Sequence, residues 1–290
     1  MIYLLLSILS STVIFVIFRL FKKFEINTLQ AIIFNYFVAC AVGLTWFIPN
    51  PDLRVIPQKN WFLGVIILGF LFIAVFNLAA ITTQRSGLSV VAVASKMSVA
   101  IPVIFGIFLY QESTGLGKIF GIILALFAVY LSSIKTNKGL NIRPKNLIFP
   151  LLVFFGSGII DTSIKYLEAN YVANEDVGLF SSAIFAFAGI TGISILTIQA
   201  FSNKLKFQWK NVMGGIVLGI PNYFSIYFLV MALRNPDFES STLFTLNNVA
   251  IVTLSTLLGI ALFRERLIKH NWIGLALAVI SIILVARSAV

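Results

Sequence analysis

Residues 106–131 read GIFLYQESTGLGKIFGIILALFAVYL, and residues 259–284 read GIALFRERLIKHNWIGLALAVISIIL. The second stretch repeats the first without a gap, at a shift of 153 positions. Gly106, Ile107, Leu109, Glu112, Gly121, Leu124, Ala125 and Leu131 meet Gly259, Ile260, Leu262, Glu265, Gly274, Leu277, Ala278 and Leu284. Each copy holds the end of one apolar segment, a short turn carrying a Glu, and a second apolar segment. Two apolar helices share Leu, Ala and Ile by chance with ease. A matched Glu and a matched Gly at the same register are harder to obtain that way, so the stretch reads as a duplication.

Around the repeat the chain is apolar to an extent no soluble domain of this size shows. Hydrophobic residues make up 59% of it, charged residues 11%, and the mean hydropathy is +1.01. So few charges cannot cover a soluble surface. The 290 residues leave room for about ten membrane-spanning helices of roughly 20 residues each. Ten apolar runs fit that expectation, near 2–20, 29–48, 61–83, 88–110, 117–134, 146–166, 177–200, 211–233, 239–263 and 270–287. A spanning strand needs only about 10 residues of alternating character. These runs are longer and apolar throughout, and without water a single run satisfies its own backbone only as a helix. The first run has no basic segment before it and no small-residue cleavage site after it, so it reads as a retained helix and not a signal peptide. The longest polar connections are Pro49–Asn60, Lys135–Lys145 and Ser202–Lys210, too short for a soluble domain. Trp46, Trp61, Trp209 and Trp272 fall at run ends, where interfacial anchors are expected.

Lys135–Lys145 is the natural joint between two halves, 1–138 and 139–290, each with five runs. Five is odd, so the second half enters the membrane upside down relative to the first. Inverted repeats of this kind place a binding site near the midplane, between the halves. The fold class expected is an all-α integral membrane protein of ten transmembrane helices, arranged as two inverted five-helix repeats.

Two five-helix halves, an apolar helix ending in LYQES or LFRER, and a following G-x-x-L-A run resemble the drug/metabolite transporter superfamily, and its EamA-type branch in particular. The resemblance extends over the chain in length and organisation and is sharpest at 102–131 and 255–284. It implies alternating access by ten helices, usually for export of amino acids, metabolites or toxic organic solutes. Pro102 stands where the family often has a helix-4 proline, and the equivalent position in the second half is Ser255.

Charge within the membrane is the next signal, because a buried ionisable residue is costly enough to suggest function. Lys96, in ASKMSVAIP, lies eight residues into the fourth run, roughly 12 Å deep at about 1.5 Å per residue. That is too far from either end to snorkel. It reads either as a group that binds an anionic part of a solute or titrates during transport, or as one partner of a structural ion pair. Ser95 and Ser98 flank it, and Pro102 removes a backbone donor nearby. Asp161, in GSGIIDTSIKY, has three readings. It pairs with Lys165 one turn on, it pairs with Lys96 across the halves, or it accepts protons during transport, its proton affinity set by burial and neighbouring charge. Neutral polar residues at depth complete the candidate set: Asn35, Asn77, Asn222, Tyr223, Asn247 and Asn248. Under the 153-residue shift Asn248 falls opposite Ser95 and Val249 opposite Lys96, so an amide in one half faces a charge in the other. For any one Asn, ordinary interhelical hydrogen bonding is the competing reading. Glu112 and Glu265 sit beside turns and read as caps or anchors.

Other function classes find less support. The lone Cys40 allows no disulfide framework, and with a single histidine, His270, neither histidine catalysis nor a His/Cys metal site is expected. No HExxH, Gly-x-Ser-x-Gly or P-loop stands in the sequence, so no catalytic residue, cofactor or direct ATP drive is expected. The net charge of +11 is spread over short loops, which suits anionic lipid and not nucleic acid. A channel, a receptor-like bundle and a membrane-embedded enzyme are the alternatives to a secondary transporter. The transporter alone accounts for the repeat, the deep lysine and the missing soluble domain. Of the 21 Lys and Arg residues, 14 follow runs 1, 3, 5, 7 and 9 and 6 lie in the other connections and termini. The positive-inside rule then puts the odd-numbered connections in the cytoplasm. The composition, rich in Ile, Phe, Asn and Lys, suggests a bacterium, and hence a multi-pass protein of the bacterial inner membrane in which one chain suffices.

Overall fold

The computed structural model describes all residues except 47–52, 87, 134–146, 202–206, 264–266 and 288–290. Glu265 and the joint at Lys135–Lys145 therefore lie outside the described residues. Every regular element among those described is helical. In chain order they are α1 (Ile2–Lys23), α2 (Thr28–Trp46), α3 (Phe62–Ser86), α4 (Leu88–Met97), α5 (Ala100–Leu109), α6 (Leu116–Ser133), α7 (Ile148–Tyr171), α8 (Val177–Phe201), α9 (Trp209–Leu233), α10 (Ser240–Phe263) and α11 (Lys269–Arg287), with short 3-10 turns at Leu53–Gln58 and Asn174–Asp176. Six helices, α2, α3, α7, α8, α9 and α10, are long and apolar enough to cross a membrane. Four shorter apolar stretches, Ile2–Phe18, Val93–Leu109, Leu116–Ser132 and Lys269–Val285, supply the rest. Together these are the ten runs of the sequence.

The fourth run differs from its expected form. It breaks at Ser98–Val99 into α4 and α5. Pro102 has no N–H to give the Ser98 carbonyl, and its ring crowds that carbonyl. The Ser98 carbonyl instead takes the Ile101 N–H at 2.9 Å, while the Ser98 hydroxyl closes on the Ser95 carbonyl at 2.6 Å. The interruption thus falls one turn before the proline.

The chain forms two compact units, Met1–Ala74 with Ser163–Arg234, and Val75–Thr162 with Asn235–Val290. Each unit draws on both halves of the sequence, and α3 and α7 are each divided between the two. In the first unit α2 packs on α8 and α9, and α1 packs on α9. In the second, α6 packs on α11, and α10 packs on α5, α6 and α11. Small side chains let those helices approach closely: Ala125, Ala128 and Ala278 share a core with Val129, Val249 and Val252. Outward faces carry Leu63, Phe108 and Ile198, all well exposed, as suits helices bathed in lipid. Trp209 and Trp272 are also exposed at helix starts, but Trp61 is not an interfacial anchor. It is fully buried, with its ring edge-on to Phe180 at 5.8 Å.

Among the described residues, contacts between connections keep to one rule. Asn27, after run 1, gives its N–H to Asn211 after run 7. Asn271, after run 9, donates to the Leu131 and Ser132 carbonyls at the end of run 5. Lys59, after run 2, pairs with Asp176 after run 6 at 2.8 Å. Arg234, after run 8, donates to Asn174 after run 6, and Glu112, after run 4, binds Ser240 and Ser241 after run 8. Odd connections meet odd ones and even meet even, so an even number of passes separates each pair of partners. That is the pattern produced when every run crosses once.

The repeat has a geometric counterpart. A Cβ added at Gly121 would lie 2.7 Å from Val285, and one at Gly274 would lie 2.6 Å from the Ser132 backbone. The two contacts exchange under the 153-residue shift. Hence α6 and α11 cross antiparallel, the start of each against the end of the other, with equivalent glycines at both crossings.

Candidate functional site

The candidate residues fall into two groups, one in each compact unit. In the second unit, Lys96 sits on the last turn of α4, just before the break. Its Nζ donates to Asn248 Oδ1 at 3.2 Å, and Asn248 Nδ2 donates in turn to the Phe244 carbonyl at 3.1 Å. The amide thus uses both ends, one on its own helix and one on the ammonium. Asp161 on α7 is within electrostatic reach of Lys96 and opposes its charge. One turn before Asp161, Ser157 lies 3.5 Å from the Ser95 hydroxyl. Asn247 is buried beside Asn248 on α10. Asn77 is half-buried on α3. The cluster therefore offers an ammonium, a carboxylate, an amide and two hydroxyls.

Lys165 takes a different role. Its Nζ binds Glu168 at 2.8 Å and the Leu233 carbonyl at 3.0 Å, within the first unit. Glu168 also receives Arg234 at 3.2 Å, and Arg234 binds the Val172 carbonyl. This knot ties the ends of α7 and α9 together. Lys96 acts on Asp161 electrostatically.

The remaining candidates lie in the first unit. Asn222 Nδ2 donates to Asn35 Oδ1 at 3.0 Å, and Asn35 Nδ2 to the Ile32 carbonyl at 3.2 Å. Tyr223 is fully buried, with its hydroxyl 3.3 Å from the Gly178 carbonyl and its ring against Phe185 and Tyr227. Tyr36 stacks on Phe185 at 6.1 Å. This group is neutral and satisfied internally. Closer to the membrane face, Asn211 donates to Gln30 at 2.7 Å.

Several polar residues here were not singled out by sequence reasoning. Ser157 had a readable signal, since it stands four residues before Asp161 on the same helical face. Glu239 had another: an acidic residue followed by Ser-Ser, directly before an apolar run, is the mark of a helix start. It accepts the Ser113 N–H at 2.7 Å and the Ser113 hydroxyl at 2.9 Å, and binds Lys118. Burial alone would push the Glu239 carboxyl up, but the donors of Lys118 and Ser113 outweigh it and hold it below the usual carboxylate range.

Among the described residues the chain is helical, with apolar helices enough for a multi-pass membrane protein. Residues 1–134 match the model of the EamA-like transporter family. The chain is 26% identical to an uncharacterized protein of Haemophilus influenzae over 279 residues, covering 94% of this chain and 93% of that one. A protein of known crystal structure superposes with a TM-score of 0.76, covering 99% of this chain and 97% of that one. At 16% identity that likeness establishes the fold alone.

Proposed function

We propose that the chain is a secondary transporter that moves a small polar or amphipathic solute, such as an amino acid, a metabolite or a drug-like compound, by alternating access. The direction read is export across the bacterial inner membrane. The halves 1–138 and 139–290 are read as the two inverted repeats, and a single chain suffices. The observation that carries this reading is the bond from Lys96 to Asn248, with the Asp161 charge opposing the lysine. A membrane-embedded lysine is costly enough to be read as functional by default. A charge-assisted bond contributes about 1.5–3 kcal/mol, whereas polar contacts between membrane helices average only about 0.6 kcal/mol.

In this reading Lys96 holds an anionic group of the solute and Asn248 shares it, with Ser95, Asn77 and Asn247 as further polar contacts. Asp161 exchanges the proton that couples movement to the gradient. Asn35, Asn222 and Tyr223, expected from the sequence to touch solute, are read in this proposal as the neutral scaffold of the first unit. The test is solute flux in proteoliposomes. Lys96→Ala is expected to remove saturable flux. Normal flux in that variant takes Lys96 out of the mechanism, and flux indifferent to collapse of the pH gradient removes proton coupling.

A further inference from the structure

We infer that Glu112, Lys118 and Glu239 form a latch that shuts the even-numbered face of the second unit. The latch joins the loop after α5 to the start of α10 in both directions. Glu112 accepts the N–H groups of Ser240 at 2.9 Å and Ser241 at 3.0 Å, and the hydroxyls of both. These are the first two residues of α10, where unpaired N–H groups and the helix dipole favour an anion. Glu239, the residue just before α10, reaches back to cap the N–H of Ser113. Lys118, fully buried, binds Glu239 and stands 3.7 Å from Glu112. Each element thus caps the other, with one ammonium locked between two carboxylates.

Two further features set this apart from an ordinary helix cap. Gln111 holds φ at +54°, a left-handed conformation that a side chain of its kind adopts at a cost. Glu112 folds back over Gly106, where a Cβ would lie 2.8 Å from its carboxylate. The loop is therefore held in a strained shape by what it grips. At the other end of the same rod, α4 and α5 part at Ser98–Val99. Helix α5 is ten residues long, hinged at one end and latched at the other. It packs on α10, the helix that carries Asn248. While the latch holds, α5 is pinned along α10. Once Glu112 lets go, α5 swings about Ser98–Val99 and opens the even-numbered side toward Lys96. This gate goes beyond the proposed function and does not depend on which solute binds.

The test measures access, so no solute is needed. In full-length chain with Cys40→Ser and Ser95→Cys, in vesicles of both orientations, the rate of labelling by a membrane-impermeant maleimide is followed at position 95. Glu112→Ala is expected to raise that rate at least tenfold from the even-numbered side and leave the other side unchanged. Adding Ser113→Cys and Glu239→Cys to that same chain and bridging them with a short bis-methanethiosulfonate is expected to lower the rate below that of the chain without the added pair treated alike, with reductant restoring it. Equal rates with and without the bridge overturn the latch, and this arm holds even where Glu112→Ala fails to fold. Faster labelling from both sides at once also overturns it, since that outcome is general loosening.

Discussion

At the middle of the second unit, Lys96 bonds Asn248 while Asp161 opposes the lysine's charge. At the middle of the first, Asn35 bonds Asn222 and Tyr223 bonds the Gly178 carbonyl. Both groups join a residue of the first sequence half to one of the second. Their chemistry differs in a way that separates holding from working. An amide pair meets its own needs and returns a fraction of a kcal/mol to the bundle. An ammonium and a carboxylate in hydrocarbon are expensive to keep, and they alone respond to a proton or to a charged solute. On the proposed reading the neutral group acts mainly as scaffold and the charged group as machinery.

The largest effect expected from breaking this contrast comes at Asp161. Asp161→Asn should abolish the acceleration of flux by an imposed pH gradient while solute exchange at equal pH persists. Gradient-driven uptake measured beside counterflow in proteoliposomes checks it. The frame of the charged unit can be disturbed without touching its charge. Gly274→Ala drives a Cβ to 2.6 Å from the Ser132 backbone, whereas at Gly121→Ala the nearest atom is a Val285 methyl at 2.7 Å and the Val285 backbone stands farther off, at 3.3 Å. The first should cost about 1–3 kcal/mol and lower the melting temperature in detergent more than the second does.

These predictions rest on features of unequal legibility. The ten runs, the 153-residue repeat and the depth of Lys96 and Asp161 were readable because hydrocarbon forces long apolar helices and makes charge conspicuous. The matched Gly121 and Gly274 showed in the sequence only the duplication; their antiparallel crossings between α6 and α11 emerged from the packing. Other features were not local. The break at Ser98–Val99 depends on which carbonyl the proline ring displaces. The burial of Trp61 depends on Phe180, far along the chain. The division of α3 and α7 between two units, and the membership of Asn35, Asn222 and Tyr223 in one unit and of Lys96 in the other, are properties of packing that no single run displays.

Smaller effects sharpen the scaffold side. Asn222→Leu alone leaves Asn35 with a lost partner, while Asn35→Leu together with Asn222→Leu removes both polar groups. A double-mutant cycle on thermal stability should return a coupling near 0.6 kcal/mol. A coupling several times larger would move the neutral group out of the scaffold role. The smallest effect is expected at Glu239. Its carboxyl is held below the usual range, so the stabilisation it brings is complete above that range and fades as pH falls through the lowered value. Melting curves of wild type and Glu239→Gln should differ slightly near neutral pH and converge in acid.

The most direct measurement is counterflow in proteoliposomes with Lys96→Met and Asn222→Ala side by side. The probe is the first solute, from a panel of amino acids and organic ions, that raises the melting temperature of the purified wild-type chain. Losing a charge-assisted bond of about 1.5–3 kcal/mol corresponds to roughly 10- to 150-fold in affinity. We predict that Lys96→Met loses saturable counterflow while Asn222→Ala stays within about threefold of wild type, as a contact near 0.6 kcal/mol implies. Wild-type counterflow in Lys96→Met, or its loss in Asn222→Ala alone, would contradict the assignment of the charged group as the transport site.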